Sequence, residues 1–221
     1  MKGFNLKLIL HILGLLLLFN AIFMGITTLY SYFQNDGITT GLLKALALNV
    51  IVASLALGLT LNHRREIKKR EGYVIVVFGW LIMVVFGMFP YVFTDTITTF
   101  TNAFFETMSG YTATGATILD DIEALPRSII LWRSLTHWMG GMGIIVLAIA
   151  ILPLLGIGGM QLFSAEAPVL GGDKLHPRIS DTAKRLWLIY VGLTLANALL
   201  LFVSGMPLFD AINHAMSTMA S

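Results

Sequence analysis

The amino-acid sequence predicts an all-α membrane protein: two N-terminal transmembrane helices, then units in which two spanning helices flank a short helix that enters the membrane and turns back. Three observations carry this prediction. Of the 221 residues, 57% are hydrophobic and 12% charged, about half the charge of an ordinary soluble domain. Five apolar stretches, roughly 8–30, 40–61, 73–94, 129–157 and 184–205, approach or exceed the ~20 residues that cross a hydrocarbon core. Between the third and fourth lies an apolar segment too short to cross. The spans are expected to be helices, because an open strand would leave backbone groups unpaired in lipid. Cysteine is absent, which excludes a disulfide framework and a thiolate metal site.

The first stretch follows Lys2 and Lys7, as a secretory signal would. It is longer than a signal core, and no small-x-small cleavage site follows it, so it reads as a retained span. The fourth stretch would be about 43 Å long as a helix, against a core of about 30 Å. It is expected to tilt, to kink near Pro153, or to extend beyond the membrane.

The basic residues give an orientation. Arg64, Arg65, Lys68, Lys69 and Arg70 sit in 62–72, and Lys174, Arg178, Lys184 and Arg185 in 158–185. Residues 31–41 hold no Lys or Arg, and 95–128 hold Arg127 alone against Asp95, Asp120, Asp121 and Glu123. The positive-inside rule then places the N-terminus and both basic segments in the cytoplasm. The basic loop 62–72 serves topology alone or, as a sharper alternative, docks a cytosolic partner.

Residues 95–128 therefore begin and end outside. Within them Ile97 to Met108 reads as a re-entrant half-helix, followed by Ser109-Gly110-Tyr111-Thr112-Ala113-Thr114-Gly115-Ala116-Thr117. A half-helix pointing inward brings its partially negative C-terminal end toward the membrane midplane, where a cation is poorly solvated. An extended strand after it offers backbone carbonyls and threonine oxygens in place of a water shell. Gly115 permits backbone angles that a residue with Cβ resists. No carboxylate lies between Tyr111 and Thr117, which favours a monovalent ion. A Thr/Gly-rich loop taken alone would equally be an ordinary turn; its place between two spans gives it weight.

The chain then begins a similar unit. Gly87-Met88-Phe89-Pro90 ends the third span and Gly205-Met206-Pro207 the fifth, and Ala103, Met108 and Ser109 match Ala211, Met216 and Ser217 at an offset of 108. The same offset places the partner of Gly115 at 223, beyond Ser221, so the second unit is expected only as far as its pore loop. One loop cannot close a coordinating ring. The other walls are expected from further sequence or other subunits.

These residues resemble the bacterial TrkH/TrkG/KtrB superfamily of potassium-uptake proteins, its TrkH branch most closely. The resemblance rests on Arg70-Glu71-Gly72-Tyr73, Phe104-Phe105-Glu106 through Thr114-Gly115-Ala116-Thr117, and Gly140-Gly141-Met142-Gly143-Ile144-Ile145-Val146-Leu147. It continues in Ile151-Leu152-Pro153, Gly158-Gly159-Met160-Gln161-Leu162, Pro177-Arg178-Ile179 and Leu186-Trp187-Leu188-Ile189-Tyr190-Val191. It implies potassium-channel-like membrane–pore helix–membrane repeats: a two-helix element at 1–62, a first repeat at 73–157, a cytoplasmic connection at 158–183, and the start of a second repeat at 184–221. It implies K+ as the transported ion, with backbone carbonyls of Thr112, Ala113, Thr114, Gly115 and Ala116 as the selectivity filter. A homodimer, a cytosolic TrkA/KtrA-like nucleotide-binding ring and a bacterial inner-membrane location are implied with it. The filter lacks the tyrosine-glycine ending of strongly selective potassium filters, so moderate discrimination is expected. Alternatives are a non-conducting partial gene product and a homo-oligomeric cation-channel subunit.

Other residues divide between packing and function. Gly140, Gly141 and Gly143 suit close helix packing or a flexible point in the inner helix. Glu106 and Arg133 are charges at membrane depth, costly unless paired, and are expected to pair and brace the short helix against the fourth span. His137 reads as a packed histidine with no ligand cluster. Asp120, Asp121 and Glu123 either concentrate cations at an outer mouth or form a solvated loop. No enzyme signature is present: Gly156 to Gly159 follows no strand, so it is no dinucleotide fingerprint.

Overall fold

The computed structural model describes residues 5–61, 69–155 and 179–220. In chain order its helices are α1 (Leu6–Gln34), α2 (Thr39–Leu59), α3 (Lys69–Gly87), α4 (Phe89–Phe93), α5 (Phe100–Tyr111), α6 (Arg127–Leu155), α7 (Ile179–Val203) and α8 (Leu208–Ala220). No sheet pairing occurs among the described residues. Leu6–Gln34, Thr39–Leu59, Arg70–Phe93 and Lys184–Val203 are long and apolar enough to cross a membrane. α6 stands where the fourth span was expected and has the length for it, 29 residues, continuing through Pro153 to Leu155. Arg64, Arg65, Lys68, Lys174 and Arg178 lie outside the described residues, as do 158–178 of the expected cytoplasmic connection and the Gly158–Leu162 motif.

α1 and α2 form a tight antiparallel hairpin. Asn35 closes α1 in the left-handed conformation (φ 52°), its N–H donating to the Ser31 carbonyl at 3.0 Å. Gly37 follows at φ 80°. Gly14 lets the helices approach, since a Cβ there would lie 3.1 Å from the Ala56 Cβ. Both ends of the hairpin are tied to later elements. The Asn5 N–H donates to Glu71 Oε1 at 2.8 Å in the first turn of α3, and Asp36 accepts from Ser31 Oγ and from Ser128 Oγ in the first turn of α6.

The third expected span, 73–94, is present at 70–93 but is interrupted by a single turn residue between α3 and α4. It breaks at Met88, and the cause is Pro90, which has no N–H and crowds the carbonyl four residues back. Two carbonyls that lose their helical donors are supplied from neighbours: Asn49 Nδ2 of α2 donates to Phe86 O at 3.4 Å, and Trp132 Nε1 of α6 donates to Gly87 O at 2.9 Å. Such repair is what makes a break tolerable inside a membrane protein. α4 then lies against α2, where Gly41 is an obligatory gap.

The short helix was expected over 97–108 and occupies 100–111. Residues 94–97 are consumed by a turn around Tyr91, whose carbonyl accepts from the N–H groups of Thr96 (3.2 Å) and Ile97 (3.4 Å) and from the Thr96 hydroxyl (3.2 Å). The buried core gathers between α1, α3, α5 and α6, with Met24, Met83, Met88, Tyr91, Tyr111 and Trp132 at its centre. α7 and α8 pack on each other and α8 on α6. α8 begins 108 residues after α5, and the first hydrogen bond of each is alike: Ala103 N–H to Thr99 O and Ala211 N–H to Pro207 O, both 2.9 Å.

A Cβ at Gly41 would overlap the Phe93 carbonyl oxygen and lie 2.9 Å from its carbon. Gly41→Ala is expected to destabilise the detergent-solubilised protein by about 1–3 kcal/mol, read as a lowered Tm. Gly58→Ala, on the same helix in open space, is expected to leave Tm unchanged or raise it.

Candidate functional site

Sequence analysis pointed to Thr112, Ala113, Thr114, Gly115 and Ala116, and the structure brings them together as one irregular strand off the C-terminal end of α5. The last turn of α5 is closed by this strand: Thr112 N–H donates to Met108 O (2.9 Å), Ala113 N–H to Gly110 O (2.9 Å) and Thr114 N–H to Ser109 O (3.0 Å). Among residues 112–116 only Ala113 (φ 53°) and Gly115 (φ 76°) have positive φ. At Ala113 the left-handed residue belongs to the cap of α5, with the Ala113 and Thr114 N–H groups returning to Gly110 and Ser109; Gly115 bends the chain again two residues on. At Gly115 a Cβ would meet nothing within 4 Å; the left-handed backbone, not space, favours glycine there.

Among the described residues, the carbonyls of Thr112, Ala113, Thr114 and Gly115 accept no hydrogen bond, while that of Ala116 accepts one from Ser109 Oγ. Ala116 thus differs from its neighbours: one lone pair is already used. The Thr112 and Thr114 hydroxyls lie 2.8 Å apart, and that of Thr112 donates to Met108 O at 2.8 Å. Thr112 and residues 114–116 are solvent-exposed in the isolated chain and Ala113 is half-buried.

Both ends of the strand are anchored to α6. At the far end the Glu106 carboxylate, 2% exposed, accepts from Arg133 Nε at 2.7 Å, from the Thr117 hydroxyl at 2.9 and 3.0 Å, and from the Ile118 N–H at 3.1 Å. The expected Glu106–Arg133 pair is present, and the same carboxylate also fastens the strand. At the near end Tyr111 rests its carbonyl against Gly140, where a Cβ would lie 2.6 Å from the Tyr111 carbonyl carbon.

The other glycines of α6 are seats as well. A Cβ on Gly141 would come within 2.8 Å of both Ala220 Cα in α8 and the Tyr190 hydroxyl in α7, and one on Gly143 within 3.1 Å of the Trp80 ring in α3. Close packing, rather than a flexible point, accounts for all three. His137 is buried with neither ring nitrogen hydrogen-bonded among the described residues, and no cluster there could hold a metal ion. Asp120, Asp121 and Glu123 are exposed; Asp121 Oδ1 accepts from the Glu123 and Ala124 N–H groups at 3.0 and 3.2 Å, shaping its own turn.

Sequence reasoning missed Asn20, whose Oδ1 accepts the Tyr111 hydroxyl at 2.6 Å, and Asp36 with Ser128. A lone asparagine in an apolar span was the available signal, since such groups need a partner.

Arg133→Leu would leave the buried Glu106 carboxylate uncompensated and is expected to cost about 3–5 kcal/mol, measured as lost thermal stability in detergent. Exchanging the two charges is expected not to restore it, because Thr117 and Ile118 would then face an arginine. Gly140→Ala is expected to fail similarly, whereas Gly25→Ala, with open space around it, should be neutral.

A family model described as "Cation transport protein", TrkH, matches residues 39–221. The "Trk system potassium uptake protein TrkH" of Salmonella typhimurium is 44% identical over 216 residues, covering 97% of this chain and 45% of the relative. The protein of the same name from Escherichia coli K12 gives the same identity and coverage. TrkG of E. coli K12 is 44% identical over 157 residues, 70% of this chain and 32% of that protein. The crystal structure of the potassium transporter TrkH from Vibrio parahaemolyticus superposes with a TM-score of 0.84 at 37% identity, covering 97% of this chain and 43% of that one. This chain therefore spans somewhat under half the length of these TrkH relatives, and with a family match over most of its residues it belongs to the TrkH family of cation transport proteins.

Proposed function

We propose that residues 112–116 are one wall of the selectivity filter of a potassium-uptake pore of the Trk/Ktr type, with K+ as the transported ion. The observation that carries this reading is the run of four carbonyls, Thr112 to Gly115, that no protein donor satisfies. These residues are exposed or half-buried in the isolated chain, so the oxygens are open to a ligand; inside a membrane pore a dehydrated cation would be their partner and would regain from them the oxygens it loses. With no carboxylate in 112–117, the dipoles suit a monovalent ion. The names of the relatives, potassium uptake proteins, point the same way.

In this reading residues 1–62 are an accessory two-helix element, 73–157 a first membrane–pore helix–membrane repeat, 158–183 a cytoplasmic connection and 184–221 the start of a second. α5 and α8 are the two pore helices. The shared register and first hydrogen bond of α5 and α8 support the repeat. A ring needs further walls beyond 112–116, supplied by other segments or chains. The N-terminus and the basic segments face the cytoplasm, following the charge pattern, and the bacterial inner membrane follows from the resemblance to the superfamily. A homodimer and a TrkA/KtrA-like cytosolic ring follow from the resemblance to the superfamily.

The test is growth of a potassium-uptake-deficient bacterium at limiting K+. The full gene product is expected to restore growth, and Gly115→Asp to abolish it while the protein still reaches the membrane. Restored growth by that variant with unchanged ion preference would contradict the assignment.

A further inference from the structure

The N-terminal hairpin lies outside the α3–α6 unit that carries the strand, yet one of its side chains reaches the strand's root. Asn20 of α1 is fully buried, and its Oδ1 accepts the Tyr111 hydroxyl at 2.6 Å. Tyr111, 1% exposed, is the last residue of α5 and immediately precedes Thr112. Three contacts hold it. Its ring edge lies in the gap at Gly87, where a Cβ would come within 2.7 Å of Cε2. Its carbonyl rests on Gly140. Its hydroxyl bonds to Asn20.

The two glycine seats limit how closely the ring and carbonyl can be approached, but they are non-directional. Core packing confines the ring, and the hydrogen bond adds the directional contact at its far end. Tyr111 is covalently joined to Thr112 inside the turn whose Met108, Gly110 and Ser109 carbonyls accept the N–H groups of Thr112, Ala113 and Thr114, so a displacement of its backbone reaches the root of the strand. An amide in an apolar helix is costly without a partner. The Asn20 Nδ2 has no partner among the described residues, so the Tyr111 bond is the main return on burying this side chain.

We propose that Asn20 is a positioning residue for the ion path: through the Tyr111 hydroxyl, the N-terminal hairpin sets the geometry of residues 112–115 and thereby ion discrimination. This rests on the filter reading given above. Asn20 touches no ion; it acts through Tyr111.

The test uses the full gene product in uptake-deficient cells, with K+ and Na+ uptake measured per inserted protein. Asn20→Leu and Tyr111→Phe each remove the bond and are expected to lower the K+:Na+ uptake ratio by about 3- to 10-fold, the equilibrium equivalent of one buried hydrogen bond. The double variant is expected to be no worse than the more severe single one, since both remove the same interaction. A purely structural role would lower the amount of inserted protein but leave the ratio per pore unchanged, and that result in Tyr111→Phe overturns the proposal. Tyr111→Phe decides alone if Asn20→Leu fails to insert. Gly115→Ala, assayed in parallel, separates the two claims. If it changes the ratio while both bond-deleting variants keep it, the filter reading stands and the positioning role falls; if it keeps the ratio, the filter reading fails and this proposal with it.

Discussion

The carboxylate of Glu106 is the constraint on which the candidate site depends. It sits in the middle of α5, nearly inaccessible, and collects a guanidinium from α6, a hydroxyl from Thr117 and a backbone N–H from Ile118. An ionised group in such a place is stable only when paired and fully hydrogen-bonded. Satisfying it pulls together three things that are apart in sequence: the short helix, the distal end of the strand, and the long helix behind both. The strand between keeps an irregular backbone whose Thr112 to Gly115 carbonyls take no protein donor, while its two ends are held. Its proximal end needs no charge. Gly140 lets the backbone of Tyr111 lie directly on α6.

α6 is the spine of the described fold. Gly140, Gly141 and Gly143 receive α5, α7 with α8, and α3 in turn, so consecutive small residues dock different elements around one helix. This is the packing expected where lipid removes the hydrophobic drive and close backbone approach supplies the attraction. Tyr111 of α5 and Ala220 of α8 lie against adjacent glycines, Gly140 and Gly141, of this one helix.

Much of this was legible in the sequence. The apolar stretches placed α1, α2, α6 and α7 to within a few residues at most ends, because a bilayer demands length and apolarity and little else. The strand 112–116 was legible because its small and hydroxylated residues follow an apolar helix too short to span. The Glu106–Arg133 pair could be anticipated from the cost of lone charges. The break at Met88 was not drawn from Pro90, although its cause was visible, because the carbonyls it frees are repaired by Asn49 and Trp132 from distant helices. The anchoring of Thr117 and Ile118 by Glu106, the positive φ at Ala113 and Gly115, and the Asn20–Tyr111 bond depend on tertiary approach, which periodicity and composition do not encode. The glycines of α6 read ambiguously for the same reason: only their neighbours distinguish a seat from a hinge.

The claim that carries the rest is that the carbonyls of Thr112 to Gly115 bind the transported ion. Crystals of the whole transporter grown with Tl+ or Rb+ in place of K+ would test it most directly. Anomalous density within coordination distance of those four oxygens is the predicted result, with Ala116 O contributing less because Ser109 already occupies it. A well-ordered strand without such density, and ions bound elsewhere along the chain, would contradict the account.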